Sequence, residues 1–344
     1  MTVNIPEMAM TGQTLQGKRG WVITDGKAGM VVQVRGVADA LGLDYTLKEV
    51  VPTGLSRILA PWGPVPGGDR FGQSGSHFAP PWPDVAIATG RASIPYLRAL
   101  KRHAGPQCFT VVLQDPKTGR DTADLIWVPQ HDRRRGANVI TTLTSPHYIS
   151  PEILKAERAQ IPDPIAALPA PRVAVVLGGK NAVYKFREED DARLEVGLAS
   201  IASLGASFMI TTSRRTHQRL FDAVDRATNS APRIVWTGDG ENPYMQFLAH
   251  ADWLVVTADS VNMTGEACST GRPVFVFAPS GGSAKFDRFH AALQAYGATR
   301  PLPERVVELE AWTYAPLNSA QFIADEIVQR WRKSCEDVPR KMSP

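Results

Sequence analysis

The sequence predicts an α/β protein with two doubly wound, Rossmann-like domains, and three observations carry that prediction. Apolar runs alternate along the chain with stretches of helix-like period, as successive βα units require. Most of the runs are continuously apolar, which marks strands buried on both faces of a parallel sheet. The rhythm stops at a proline-rich passage, 161–172 (IPDPIAALPAPR), and then restarts. A chain of 344 residues is also long enough for two domains of ordinary size.

In the first domain, set at 1–165, strands are expected over 20–26, 44–50, 84–90, 108–115 and 124–129. Helices are expected over 28–42, where Gly42 is the stop, and near 92–104. The prolines of 161–172 cannot continue a helix or a central strand, so the passage reads as an interdomain linker. The second domain, 166–317, repeats the pattern with strands over 172–179, 207–213, 233–238, 252–260 and 273–279. Helices fall between them over 188–204, 215–228, near 243–250, and from Ser260 to Gly271. The remainder, 318–344, holds an amphipathic helix over 319–333 with no strand after it, expected to pack back on the first domain. One segment breaks the rhythm: 60–83, rich in Pro and Gly, with Trp62, Phe71, Phe78 and Trp82 in polar surroundings. So long a loop reads either as a mobile lip that touches an amphiphilic acceptor or membrane surface, or as a disordered insertion.

Composition excludes several classes. An apolar share of 43% with 21% charged residues suits a soluble globular protein. Cys108, Cys268 and Cys335 have no CxxC or Cys/His spacing, so neither a disulfide framework nor a zinc site is expected, and a reducing cytoplasm is. The first 20 residues lack a basic start followed by an apolar block, and no apolar run approaches the roughly 18 residues that span a bilayer. The expectation is a cytoplasmic protein, at most peripheral to the inner membrane. Residues 1–168 hold 18 basic and 14 acidic side chains and the rest 20 of each, so the net +4 lies entirely in the first half. This is either an ordinary solvated surface or a face for an anionic partner such as a phospholipid leaflet. Nucleic acid is not expected, because the densest basic run, Arg133 to Arg135, has no interleaved aromatics.

Ligands of doubly wound sheets bind outside the carboxyl ends of the strands, so the residues just after each strand are the ones to read. In the second domain Gly178 and Gly179 let backbone approach a phosphate, with Lys180 and Asn181 beside them. Ser213 or Thr212 is placed to cap a helix starting with Arg214 and Arg215, a position that disfavours cations unless an anion is expected there. Asp259 and Ser260 lead into Asn262 and Glu266. Ser260 or Asn262 caps that helix and offers its free N–H groups to a diphosphate, while Glu266, one turn on, accepts from a ribose diol. The plain alternative is an N-cap with a solvent-facing Glu. In the first domain Asp25, Gly26, Lys27 and Gly29 form a strand-to-helix turn suited to an acceptor or phosphate, with Arg91 and Asp115 on neighbouring loops. Asp25 and Asp115 are the candidate general bases, unless they are only turn or cap residues. Asp239 and Glu241 only superficially resemble a metal-binding pair, and no metal is expected.

Five ordered motifs, DGKAG (25–29), GGKNAVY (178–184), TSRRT (212–216), GENPY (240–244) and ADSVNMTGEA (258–267), resemble the mitochondrial-fission Elm family over about 20–330. The stretch 247–279 is similar to the nucleotide-sugar half of GT-B-like glycosyltransferases, which have two facing Rossmann-like domains. That resemblance implies a nucleotide-diphosphate sugar bound in the interdomain cleft by the second domain and an acceptor, lipid-linked or at a membrane, on the first. It implies no further cofactor, and a leaving diphosphate stabilised by helix N-termini and basic side chains. TDGKAG lacks the His that some of these transferases carry in their first loop. Plant members of the family are described as recruiting a dynamin-related protein, which implies the alternative of a non-catalytic adaptor with a protein partner. A third label, nucleotide-sugar epimerase, is set aside. Short-chain epimerases need Tyr-x-x-x-Lys, and none of the seven tyrosines has Lys four residues later.

Overall fold

The computed structural model describes residues 14–336; the start of the chain and the tail from 337 lie outside the described residues. Two units result, one of Met1–Thr142, Pro146–Tyr148 and Ser319–Pro344, the other of Leu143–Ser145 and Ile149–Asn318. The division therefore falls at 142–149, not at 165.

Unit 1 opens with β1 (Arg19–Thr24), α1 (Ala28–Leu41), β2 (Asp44–Glu49) and a short α2 (Gly54–Leu59). It continues with β3 (Val85–Thr89), α3 (Ile94–Ala104), β4 (Phe109–Leu113), β5 (Leu125–Pro129) and β6 (Val139–Thr142). The strands form one parallel sheet in the order β2-β1-β3-β4-β5-β6. Four of them, β3, β4 and β5 fully and β1 beyond its first residue, are buried along their length, as continuous apolar runs require.

Unit 2 begins with α4 (Pro151–Arg158) and α5 (Asp163–Ala166). The prolines of 161–172 thus frame a helical turn whose Ile165 and Leu168 are buried in the core of unit 2, so the passage is part of that unit and not a linker. Then come β7 (Arg172–Val176), α6 (Glu188–Ser203), β8 (Ser207–Thr211), α7 (Gln218–Thr228), β9 (Arg233–Trp236) and α8 (Tyr244–His250). The unit ends with β10 (Trp253–Thr257), α9 (Val261–Cys268), β11 (Val274–Phe277), α10 (Ala284–Tyr296) and β12 (Thr299–Pro301). Its parallel sheet runs β12-β11-β10-β7-β8-β9, with Val175 of β7 between Val255 of β10 and Ile210 of β8.

The last helix, α11 (Ser319–Glu336), belongs to unit 1. Its Ile323, Ile327 and Val328 pack with Val34, Val37 and Leu41 of α1 over one face of the sheet, as the sequence leads one to expect. The opposite face is covered by α3 and by the segment 60–83. Phe78 is buried there, Phe71 stacks on Phe78 at 5.4 Å and on Trp82 at 5.9 Å, and Trp21 of β1 meets Phe78 edge-on at 5.9 Å. Phe71, Phe78 and Trp82 are thus packed on the sheet and are neither a lip nor a disordered insertion, whereas Trp62 is exposed. Because α2 buries no side chain, aromatic residues of an irregular segment cover the sheet where a crossover helix would otherwise lie.

Candidate functional site

Each sheet contains one reversal of strand order. In unit 1 the chain runs outward from β1 to β2 and returns on the far side of β1 as β3. In unit 2 it runs outward through β8 and β9 and returns on the far side of β7 as β10. Loops leaving two such adjacent strands diverge and open a crevice, the usual ligand site of this architecture. The loops concerned follow Val176 and Thr257 in unit 2, and Thr24 and Thr89 in unit 1.

In unit 2 the crevice is organised by Asp259, whose side chain is 0% exposed. Its carboxylate accepts from the Gly179 N–H at 3.1 Å and the Thr257 hydroxyl at 2.7 Å, and pairs with Arg215 at 2.8 Å. Asn181 donates to the Asp259 carbonyl at 3.1 Å and accepts the N–H groups of Val183 and Tyr184. Thr216 donates to the Gly178 carbonyl at 2.7 Å, while the Gly178 N–H goes to Thr257 at 2.8 Å. Three strand-end loops, those after β7, β8 and β10, are thereby tied together at the start of α9. The two glycines serve this junction. A Cβ on Gly178 would overlap the Asp259 carboxylate, and one on Gly179 the Arg215 carbonyl. Their close approach is to the protein itself, and their N–H groups are already used, so neither is a phosphate donor here.

The start of α9 remains suited to an anion. Ser260 caps it by accepting from the Met263 N–H at 3.3 Å, leaving the Val261 and Asn262 amides without an acceptor from the cap. The first turn of α9 contains no acidic residue, whereas that of α6 contains Glu188, Glu189, Asp190 and Asp191 and that of α10 contains Asp287. Carboxylates compensate the positive end of the helix dipole; of these three helices α9 has none in its first turn, and the Asp259 carboxylate just before its cap is paired with Arg215. Lys180 and Arg214 are exposed on the adjoining loops and are not ion-paired among the described residues.

Glu266, one turn into α9, is buried, and its Oε2 accepts from the Tyr244 hydroxyl at 2.7 Å. Burial raises its pKa and the tyrosine bond only partly opposes that. The plain alternative of a solvent-facing Glu is therefore not observed. His290 of α10 donates Nε2–H to the Ala258 carbonyl at 3.0 Å; burial lowers its pKa, and its Nδ1 is buried without a partner.

In unit 1 the two candidate bases differ. Asp115 is buried enough to raise its pKa, but bonds from the Lys117 side chain (2.8 Å) and amide (3.0 Å) and from Arg134 (2.8 Å) outweigh burial and lower it. Asp25 pairs through Oδ2 with Lys27 at 2.6 Å, while its Oδ1 is buried without a hydrogen-bond partner and lies against Gly90. A cavity of ≈ 340 Å³ is lined by Met30, Trp62, Gly90, Arg91, Lys117 and, of the two candidate bases, Asp115. Arg91 does not point a free cation at a phosphate. It donates to the Ala60 and Ile58 carbonyls and lies over the Trp62 ring at 5.7 Å. The Glu49 carboxylate rests against Gly26, so the turn through Gly26, Lys27 and Gly29 is faced by carboxylates and not by an anion-binding concavity.

Arg214 and Arg215 do not begin a helix, since α7 starts at Gln218 with His217 as its N-cap. Ser213 instead pairs with Thr216 at 3.2 Å and accepts from the Arg215 N–H at 3.3 Å, closing a turn before the helix. Sequence reading misses Thr216, Tyr244, Thr257 and His290. Thr216 and Tyr244 end the motifs TSRRT and GENPY, and that placement is the one signal available, because their partners lie on other loops. Among the described residues no cluster of three His, Cys, Asp or Glu side chains could hold a metal. No described helix is long and apolar enough to cross a membrane.

Known proteins match this architecture. A UDP-GlcNAc 2-epimerase from Methanocaldococcus jannaschii superposes with a TM-score of 0.50 at 9% identity, over 91% of this chain and 99% of that one. MurG from Acinetobacter baumannii superposes with a TM-score of 0.50 at 16% identity, over 91% and 99%. Such likeness concerns the fold alone. It also means that the missing short-chain epimerase motif does not bear on epimerases of this fold. In sequence, the mitochondrial fission protein ELM1 of Arabidopsis thaliana is 28% identical over 269 residues, 71% of this chain and 63% of the plant protein. This chain thus spans less than two thirds of that relative's length. The family model described as Mitochondrial fission ELM1 matches residues 28–331. The chain belongs to the mitochondrial fission ELM1 family.

Proposed function

We propose that this protein is a glycosyltransferase-like enzyme that binds a nucleotide-diphosphate sugar at the start of α9 and transfers the sugar to an acceptor hydroxyl. The observation that carries the reading is the convergence of three strand-end loops on Asp259, which presents a Ser260-capped helix with no acidic residue in its first turn, beside Lys180 and Arg214. The diphosphate sits on the Val261 and Asn262 amides, and the two cations neutralise it. Asn262, half-buried, reaches the same ligand from the first turn. Glu266, buried and bonded to the Tyr244 hydroxyl, shapes the nucleoside pocket and meets the ribose through its carboxyl group.

In the transfer, the acceptor oxygen bonds to the anomeric carbon as the bond from that carbon to the diphosphate oxygen breaks. The hydroxyl proton goes to a carboxylate, and the nucleoside diphosphate leaves with its added charge held by the helix start. Asp25 is the better base of the two candidates, because its Oδ1 has no hydrogen-bond partner whereas Asp115 is clamped by two cations. Calorimetric titration with uridine, guanosine, adenosine and thymidine diphosphates and their sugars tests the binding step. One of them should bind, and Lys180→Ala and Arg214→Ala should each weaken it about tenfold, as loss of a charge-assisted contact does. If none binds at millimolar concentration, the enzyme reading is wrong and an adaptor on the same fold replaces it. If one binds and its sugar is returned as the epimer without transfer, the chemistry is epimerisation.

A further inference from the structure

Unit 1 displays five large apolar side chains within twelve residues: Val51, Leu55, Ile58, Leu59 and Trp62, exposed by 73, 69, 70, 44 and 63%. Leu55, Ile58 and Leu59 sit on α2, which buries none of its residues, and Val51 and Trp62 flank the helix on either side. An apolar helical face normally turns inward, and soluble proteins seldom gather such residues on their surface. The array is held from beneath by cations. Arg91 donates to the Ile58 carbonyl at 2.9 Å, and Arg98 to the Trp62 carbonyl at 2.9 Å. Arg57 is exposed on α2 itself. A cavity of ≈ 480 Å³ beside Trp62 is lined by Arg98, Lys101 and Arg102, with Asp121 its one carboxylate. No acidic residue occurs from 50 to 68.

We propose that this edge of unit 1 docks on an anionic phospholipid bilayer. Leu55, Ile58, Leu59 and Trp62 enter the headgroup–acyl boundary, and the exposed Arg57 and Arg102 meet the lipid phosphates. Tryptophan suits that boundary because its ring is apolar and its N–H is polar. A second copy of the chain is the poorer occupant, since a two-fold contact would set these cations against their own counterparts. The inference does not depend on nucleotide binding.

The test is co-sedimentation of the full chain with vesicles of phosphatidylcholine alone and with about one third phosphatidylglycerol, alongside sedimentation velocity without lipid. The wild type should bind the anionic vesicles and ignore the neutral ones. The double variant Leu55→Asp/Ile58→Asp should lose about tenfold or more in partitioning while staying folded, because these side chains are exposed. Arg57→Glu/Arg102→Glu should erase the preference for anionic lipid, and Val307→Asp, an exposed apolar site in unit 2, should change nothing. If the aspartate variant unfolds, Trp62→Ala takes its place with the same expectation, read as a smaller loss. Unchanged partitioning of these variants, no binding of the wild type, or a wild-type dimer that the aspartates dissociate would overturn the proposal.

Discussion

Both units are parallel six-stranded sheets with one reversal of strand order, yet the crevices at those reversals are built in opposite ways. In unit 2 the crevice is closed around a buried, fully bonded carboxylate, Asp259, with the ligand-suited groups displayed at its rim. In unit 1 a carboxylate on the other side of the reversal, Asp25 after β1, keeps one buried oxygen unbonded against Gly90. A satisfied polar network rigidifies a frame, whereas an unsatisfied buried acceptor is costly and persists where function requires it. The difference teaches that unit 2 closes its crevice with a satisfied polar network, whereas unit 1 leaves a buried acceptor open.

Several substitutions sharpen or break that contrast. The largest effect is on turnover: Asp25→Asn should lower transfer by about a hundredfold or more, the share a positioned base contributes, while Asp115→Asn should lower it far less. Equal losses in a steady-state assay would remove the distinction between them. On stability the ranking reverses. Asp259→Ala should cost about 3 kcal/mol in denaturant unfolding, because the Gly179 N–H and Thr257 hydroxyl lose their acceptor in a buried site. Asp25→Ala should cost less than about 1 kcal/mol, since only an exposed lysine is lost. Gly178→Ala should cost about 2 kcal/mol, because its Cβ and the Asp259 carboxylate compete for one volume. Tyr244→Phe should cost about 1 kcal/mol for its hydrogen bond to Glu266.

The smallest effect is a pH dependence. Glu266 has its pKa raised by burial, so it binds its proton more tightly folded than unfolded. Its contribution is fully present below its ordinary value of 4.5 and is lost as pH rises through the folded value. Glu266→Gln cannot ionise, so its stability relative to wild type should improve from acidic toward neutral pH in thermal unfolding. A constant difference across that range would mean that Glu266 titrates normally.

Much of this architecture is legible in residue order. Strands such as β5, LIWVP, and β7, RVAVV, are continuously apolar because both faces are covered. The edge strands β6, VITT, and β12, TRP, are short and partly exposed, so no period announces them. Helix α10 is missed for a similar reason, since Phe289 and Leu293 are its only buried residues. The aromatics of 60–83 look misplaced in a Pro- and Gly-rich stretch until the sheet face they cover is seen. At the candidate site, residue types point to the correct loops but not to their partners. Gly178 and Gly179 read as room for a phosphate, yet that room is occupied by Asp259 and Arg215. Local spacing cannot reveal it, because Asp259 lies some eighty residues further along the chain.

The most direct test of the central claim is a crystal structure with the nucleoside diphosphate that binds best in calorimetry. The account predicts the diphosphate on the Val261 and Asn262 amides, between Lys180 and Arg214, with the Asp259 contacts unchanged. A nucleotide seated instead in the unit 1 cavity lined by Arg91 and Asp115, or one whose phosphates avoid the start of α9, would contradict it.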